Sequence, residues 1–584
     1  MKVLPNHGKN LTALFAALAA TAIATASVAA MNATPKVSAG PGTRAATAVP
    51  NIVVVMTDDQ TVEQLRVMPN VRRLIGDAGV VFETNFASYP LCCPSRATFL
   101  TGQYAHNHGV LSNRMPTGGY PKLDHAKTLP VWLRASGYRT IHLGKYLNGY
   151  GGQSATQVPP GWAEWYGSVD PTTYDYVGFT LNENGKHVKY GNAPAAYQTD
   201  VYTRKASEII RRVSSEPAPF FLSVAFLAPH WGRPRDPDDS RGGYTPAPAA
   251  RHRDKFAKEP LPRPPSFDEA DVADKPLTVR QRPRFTAVQV RAMTENYQQE
   301  LESLLSVDEG VAQIVAALDQ AGVLDRTVIL FTSDNGFLHG EHRIREGKNR
   351  LYEPSIRVPL LVRGPGFRPG TRVRELTANI DLAPTILDLA NAVATRELDG
   401  RSLVPLLTDP TRRMARQIVI ERPADGPTNE LFSALRTNRY VYAEYTNGDR
   451  ELYDLRRDPH QLNSVHAASP YAAIGADLAR RLAVLRRCIG AACRRLPSLA
   501  LRTTPTARCV GSRLTLSVGG SETASIGYVD FLINGRRVAR DRRAPYRVVL
   551  PARRLPRPSA RIRARFVLSL GDVLTLDRRV RRCS

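Results

Sequence analysis

The chain has 584 residues, 42% hydrophobic and 23% charged, with 79 Lys and Arg against 53 Asp and Glu for a formal net charge of +26. That length accommodates two to four domains of roughly 150 residues with ample cores, which excludes a small disulfide-stapled scaffold, and the composition excludes a disordered or many-span membrane protein. The positive excess favours an anionic partner such as nucleic acid, anionic lipid or a sulfated or phosphorylated polysaccharide, although a genome that uses Arg freely gives the same excess with no partner at all.

Lys2 and Lys9 precede an uncharged run from Leu11 to Ala30, closed by small residues in Ala24-Thr25-Ala26 and Val28-Ala29-Ala30. The pattern predicts a secretory signal peptide within residues 1–34, a linker over 35–49, and an exported chain without a stable membrane span after cleavage. The run approaches the ~20 residues that cross a bilayer, so a retained anchor is the alternative. Six Cys suit an oxidising compartment. Proximity suggests Cys488 with Cys493 and Cys509 with Cys583, a choice that sequence alone leaves open, and the adjacent Cys92 and Cys93 have no partner.

Asn51 to Met56 reads as a fully buried strand whose apolar run stops at Thr57-Asp58-Asp59-Gln60. Pro219 to Phe226 is a second, ending at Pro229-His230, and Thr327 to Phe331 a third, ending at Ser333-Asp334-Asn335-Gly336. Open α/β sheets bind ligands at such carboxyl ends. Apolar residues at Tyr297, Leu301, Leu304, Val307, Val311, Ile314 and Leu318 predict a helix from Met293 to Leu318 with one stripe for a sheet. Trp231 to Pro283, rich in Pro, Arg and Asp, reads as a long excursion over the surface near His230.

Beyond Arg422 short strands are expected at Ser433–Arg436, Tyr440–Tyr445 and Glu451–Leu455, forming a small antiparallel sheet with a helix near Tyr471 to Arg487, over residues 422–495. Residues 501–584 predict a β-sandwich-like module clasped by Cys509 and Cys583, with strands at Leu514–Val518, Tyr528–Ile533 and Arg561–Leu570 and a turn at Asn534-Gly535. Nineteen Arg, no Lys and five acidic residues give this module a net +14.

The segment Leu91-Cys92-Cys93-Pro94-Ser95-Arg96-Ala97-Thr98-Phe99-Leu100-Thr101-Gly102 is the most informative in the chain. Pro94 fixes a turn and Ser95 is placed to cap a helix starting near Arg96, which puts Cys92 beside a helix amino terminus suited to anions. The string resembles the sulfatase signature, in which a Cys followed by x-Pro-x-Arg and Thr-Gly is oxidised to formylglycine. The resemblance marks Cys92 as that position and implies an α/β fold: an alkaline-phosphatase-like α/β/α sandwich with a mixed central sheet over residues 50–421. It further implies one Ca²⁺ held by Asp58, Asp59, Asp334, Asn335 and the modified Cys92, with Arg96, Lys145 and Lys348 on the nucleophile and sulfate and His230 protonating the leaving oxygen. A formylglycine-generating enzyme is then a necessary partner.

Cys92-Cys93-Pro94-Ser95-Arg96, Tyr104-Ala105-His106-Asn107-His108 and Gly144-Lys145-Tyr146-Leu147-Asn148 look closest to the N-acetylglucosamine-6-sulfatase branch, which acts on sulfated amino sugars of glycosaminoglycans. Leu147 departs from relatives that have His two residues after the Lys, leaving His339 and His108 as candidate bases for sulfate release. Pro354 and Trp231-Gly232 also depart from common patterns. The expectation is a secreted hydrolase of sulfated sugars or aryl sulfates that binds no nucleic acid. A phosphonate or phosphate monoesterase on the same scaffold and a non-catalytic binder of sulfated polysaccharide are the alternatives.

Overall fold

In strand β1 (Asn51–Thr57), Ile52, Val54 and Met56 enter one core while Val53 and Val55 enter the opposite one. Successive side chains of a strand point to opposite faces, so burial on both faces turns a period of two into an unbroken apolar run. The computed structural model in which this is seen describes residues 49–584 apart from 155, 236–243, 413, 415, 425–429, 495–498, 507–508, 520–525, 569–572 and 584. The expected signal peptide (1–34) and all but the last residue of the linker (35–49) lie outside the described residues.

β1 belongs to a ten-stranded mixed sheet. Its other strands are β2 (Val80–Phe82), β3 (Arg139–Gly144), β4 (Glu164–Ser168), β5 (Thr180–Glu183), β6 (Lys186–Lys189), β7 (Phe220–Ala225), β8 (Thr327–Ser333), β9 (Leu360–Arg363) and β10 (Thr371–Val373). The spatial order is β10-β2-β9-β8-β1-β7-β3-β4-β5-β6. The central run from β8 through β1, β7 and β3 to β4 is parallel, which brings the carboxyl ends of these strands to one edge. The flanking pairs β9–β8, β4–β5 and β5–β6 are antiparallel.

Helices α1 (Cys92–Thr101), α2 (Gln198–Val213), α3 (Ala287–Gln320) and α4 (Leu382–Leu389) close both faces. α2 and α3 share a core with Val53, Leu143, Leu222 and Phe331, whereas α1 and α4 share the other core with Ile52, Val54, Phe221 and Leu330. This is the expected α/β/α sandwich. α3 is longer than its apolar stripe because Thr286 and Gln289 form a reciprocal cap ahead of it. The Trp231–Pro283 excursion differs from expectation. Ala247, Ala249 and Leu261 pack into the core on the α2–α3 side and Val272 and Val279 into a third core, so its sparse apolar residues anchor it rather than leave it on the surface.

The small antiparallel sheet has four strands, Ile418–Arg422, Phe432–Arg436, Tyr440–Tyr445 and Arg450–Asp454. Its first strand lies ahead of the change of pattern read at Arg422. Helix α5 (Ala472–Leu485) buries Leu478, Leu482 and Leu485 in the same core. The terminal module pairs a three-stranded and a four-stranded sheet around Leu514, Leu516, Val529, Phe531, Ile562 and Phe566. Asn534 and Gly535 both take positive φ (45° and 84°), as a two-residue hairpin turn requires. The third strand runs Ser559–Leu568, and Leu570, its expected end, lies outside the described residues. Disulfides join Cys488 to Cys493 and Cys509 to Cys583, and Cys92 and Cys93 are free. Among the described residues no helix is long and apolar enough to cross a membrane.

Candidate active site

Strand register builds the site. Thr57 of β1 sits opposite Ser333 of β8, so the residues that follow, Asp58-Asp59 and Asp334-Asn335, emerge as neighbours. The Ser333 hydroxyl accepts from the Gln60 amide at 3.0 Å and donates to the Asn335 carbonyl at 2.9 Å, pinning the two strand ends together. Asp59 takes a left-handed backbone, φ 73°, which lets two successive carboxyls serve one site instead of pointing to opposite faces. At the end of β3, Gly144 (φ 103°) lies so close to the Ala225 carbonyl that a Cβ would sit 2.1 Å from it, and the tight approach delivers Lys145 beside Asp58.

α1 starts at Cys92, four residues earlier than the start read near Arg96, and Ser95 does not cap it. Pro94 fits inside the first turn, where its missing N–H is not needed. The Ser95 hydroxyl instead donates to the Asp334 carbonyl and accepts from Asn379 Nδ2 at 2.8 Å. Cys92 is thereby the first helical residue, 1% exposed, with Sγ 3.5 Å from Asp58 Oδ1 and 2.7 Å from Lys348 Nζ.

Every predicted site residue converges here. Arg96 Nε donates to Asp334 Oδ2 at 2.8 Å and Nη2 to Asp58 Oδ2 at 3.3 Å. Lys145 Nζ pairs with Asp58 Oδ2, and Lys348 Nζ with Asp59 Oδ1. Asn335 Nδ2 donates to Asp59 Oδ1 at 2.6 Å. His230 Nε2 stands 3.8 Å from Asp59 Oδ2, its Nδ1 2.7 Å from the Trp231 carbonyl.

The donor set fits a hard divalent cation. Carboxylate oxygens of Asp58, Asp59 and Asp334 lie within 4.8 Å of one another, all buried. Asn335, whose Nδ2 meets Asp59, keeps its Oδ1 buried without a hydrogen-bond partner, an orphan acceptor on a residue that borders the same cluster. All four are oxygen donors, the type Ca²⁺ and Mg²⁺ take.

Electrostatics reflect the crowding. Burial raises Asp334 to about 6, with the Asp58 charge adding and Arg96 opposing. Burial likewise leaves Asp59 above its ordinary value, with the Lys348 charge opposing and the Asp58 charge adding. Asp58 ends well below the carboxylate range because Lys145, His230, Lys348 and Arg96 together outweigh its burial. Burial followed by the Asp58 charge pushes the Cys92 thiol up to about 12, so an unmodified Cys92 is a neutral thiol at physiological pH. Burial and the Lys145 charge hold His230 well below an ordinary imidazole.

Neither candidate base reaches Cys92. His108 packs behind α1, Nε2 3.0 Å from Thr98 Oγ1 and Nδ1 accepting from the Val110 amide at 3.1 Å. His339 is engaged with Glu300, Nε2 to Oε2 at 2.6 Å. Sequence reasoning missed Tyr174, whose ring lies 4.8 Å from Lys145 Nζ, and the stack of Tyr174, Trp231 and Tyr244, with centroids 5.4 and 6.1 Å apart. The oddity of Trp231 after His230 was the available signal.

Two family profiles match the chain: Sulfatase over residues 50–392 and N-sulphoglucosamine sulphohydrolase, C-terminal, over 340–488. The chain belongs to the sulfatase family. N-acetylglucosamine-6-sulfatase of Capra hircus is 32% identical over 490 residues, 76% of this chain and 85% of its own. Arylsulfatase of Volvox carteri is 34% identical, covering 76% and 75%. A solved structure in complex with its substrate, D-glucosamine-2-N,6-O-disulfate, superposes with a TM-score of 0.62 at 24% identity, over 74% of this chain and 97% of that one. The protein is thus a sulfuric ester hydrolase with an alkaline-phosphatase-like fold, of a family that generally uses formylglycine and a divalent metal.

Proposed function

We propose that the protein is an exported sulfatase that removes sulfate from O-sulfated sugars, glucosamine among them, or from aryl sulfates, using formylglycine made from Cys92 and one Ca²⁺. The observation that carries this reading is the position of Cys92, the first residue of α1, between Lys348, Asp58 and the carboxylate cluster. The relatives named N-acetylglucosamine-6-sulfatase and arylsulfatase support the substrate class. The signal pattern of residues 1–34 supports export. Residues 50–421 carry the chemistry, 422–495 complete the fold around it, and 501–584 form a separate module. Because Cys92 is buried, a formylglycine-generating enzyme acts before the chain closes.

Asp58, Asp59, Asp334 and Asn335 would hold the ion, which supplies a positive charge that acidifies the formylglycine hydrate and binds sulfate oxygens. Lys145 and Lys348, now paired with these carboxylates, have the reach to turn to the sulfate. One hydrate hydroxyl at residue 92 attacks sulfur and passes its proton to Asp58 Oδ1, the carboxylate oxygen nearest the reacting position. The bond from sulfur to the alcohol oxygen breaks, and His230 Nε2, bare in the resting neutral ring whose Nδ1–H faces the Trp231 carbonyl, relays a proton from solvent water to that oxygen. The remaining hydroxyl then loses its proton to water, the carbonyl reforms, sulfate leaves, Asp58 returns its proton to solvent, and water rehydrates the aldehyde.

Peptide mass analysis across Pro90 to Arg96 of active protein is expected to show the thiol replaced by aldehyde, and Cys92→Ala to abolish turnover while leaving unfolding unchanged. An intact thiol in fully active protein overturns the reading. A second reading follows from the phosphonate monoester hydrolase of Agrobacterium radiobacter, which shares the fold at a TM-score of 0.57 and 24% identity. Faster turnover of phenylphosphonate esters than of nitrophenyl sulfate would favour it.

A further inference from the structure

The four-stranded sheet of the terminal module turns one face to its core and the other to solvent. Along Ser559–Leu568, Ala560, Ile562, Ala564 and Phe566 are buried, so Arg561, Arg563 and Arg565 share the outer face at roughly 7 Å intervals. Register adds the neighbours: Arg579 lies opposite Arg561, Asp577 opposite Arg563, Thr575 opposite Arg565, and Asp530 opposite both Arg565 and Arg540, while Arg537 faces Leu532. Six Arg therefore meet two Asp on one flat surface.

The pairing confirms the excess. Asp530 is shared by Arg540 at 2.7 Å, Arg565 at 3.5 Å and Arg537 at 3.9 Å, and Asp577 by Arg563 at 2.7 Å and Arg561 at 2.5 Å. Arg561 and Arg579 stand directly across from each other, a like-charge juxtaposition that destabilises a sheet unless an anion bridges it. Thr575 carries the face into a cleft of about 570 Å³ that it lines with Arg401, Arg412 and Arg494 and, among the described residues, no acidic one.

We propose that this Arg face binds a linear polysulfated glycan, holding the polymer through guanidinium–sulfate pairs at a site separate from the catalytic residues. Guanidinium forks match tetrahedral oxyanions bidentately, and strand spacing sets them in a repeating row. The choice of a sulfated glycan over nucleic acid rests partly on the sulfatase reading and partly on the face itself. Among the described residues the aromatic ring at this surface, Tyr528, is covered by the Arg540 guanidinium at 4.2 Å, which leaves no platform for stacking the bases of a single strand.

The test uses the full chain on immobilised heparin. The variant Arg537→Gln/Arg561→Gln/Arg579→Gln removes the Arg537–Asp530 and Arg561–Asp577 pairs but leaves Asp530 with Arg540 and Arg565, and Asp577 with Arg563, so each Asp keeps a guanidinium partner. It should elute at lower salt, with affinity at physiological salt down on the order of tenfold or more. A control variant, Arg72→Gln/Arg211→Gln/Arg368→Gln, removes equal charge from exposed positions elsewhere and should elute like the parent. Nitrophenyl sulfate turnover should be the same in all three. Unchanged elution of the module variant, an equal shift in the control, or displacement of heparin by duplex DNA at matched charge concentration overturns the proposal. Failure of the sulfatase reading would appear separately, as a parent that binds heparin but turns over no sulfate ester.

Discussion

At the carboxyl edge of the central sheet Arg96, Lys145 and Lys348 meet Asp58, Asp59 and Asp334, with every side chain at most 13% exposed. On the outer sheet of the terminal module, six Arg meet two Asp and remain in solvent. Burial enforces balance, because an uncompensated charge taken out of water costs several kcal/mol, whereas an exposed guanidinium stays hydrated whether paired or not. The buried cluster is thus fixed by the fold, and the exposed one is free to answer to a ligand.

The largest effect expected from breaking this contrast comes from Asp58→Asn. It strips Lys145 of its buried partner and the Arg96 guanidinium of one of two, and it removes a proposed metal ligand and proton acceptor. Unfolding in denaturant should reveal a loss of about 3–5 kcal/mol. Turnover should fall on the order of 10³-fold. Arg561→Gln in the module should stay within about 0.5 kcal/mol of the parent. Equal stability of the two variants would erase the distinction between the regions.

A smaller effect sharpens it through pH. Burial leaves Glu300 above its ordinary value, but it accepts from His339, from Gln64 at 2.6 Å and from Asn296 at 2.6 Å, bonds that favour the carboxylate and place the shared proton on the imidazole. Burial opposes that charge, but Glu300, Glu341 and Glu346 lift His339 to about 9. A folded value above the ordinary 6.5 stabilises fully below pH 6.5 and is lost as pH climbs through 9, at most about 3 kcal/mol. The denaturant midpoint of the parent should fall over that window, and Glu300→Gln should flatten the fall. The module's guanidiniums stay charged throughout and add nothing to the curve. A parent profile as flat as that of the variant would show that the pair carries no proton.

What was legible in the sequence was whatever a local pattern encodes. Apolar runs ending in Asp58-Asp59 and Asp334-Asn335 announced buried strands with ligands at their tips, and the stripe from Tyr297 to Leu318 announced α3. The contacts that orient the nucleophile were not legible, because they join residues far apart. Asn379 reaches Ser95 across 284 positions, and only the folded register brings them together. The short flanking strands β4 to β6 carry mixed residues, and pairing with a neighbouring strand rather than an apolar run makes them strands. The search for a base failed for a related reason: His108 and His339 lie near site motifs in sequence, but Thr98 and Glu300 already engage them.

Trp231 stands between the two regimes, adjacent in sequence to buried His230 yet 45% exposed, with its ring near-parallel to Tyr174 at 15°. Under the proposed function, exposed Trp231 and Tyr244 in one row with half-buried Tyr174 would give a sugar ring an apolar surface to lie on while its sulfate enters the cluster. Trp231→Ala removes that surface without touching any ion pair of the site. The KM for a 6-O-sulfated glucosamine should rise roughly fivefold, about 1 kcal/mol, with kcat nearly constant, because the stacking is made equally in the ground and transition states. Stability should fall by no more than about 2 kcal/mol, since the ring is only partly taken out of water. A fall in kcat at constant KM would instead place Trp231 in the chemistry, through the ring that packs on His230 at 4.9 Å between centroids, and would move the boundary between the buried and exposed regimes outward by one residue.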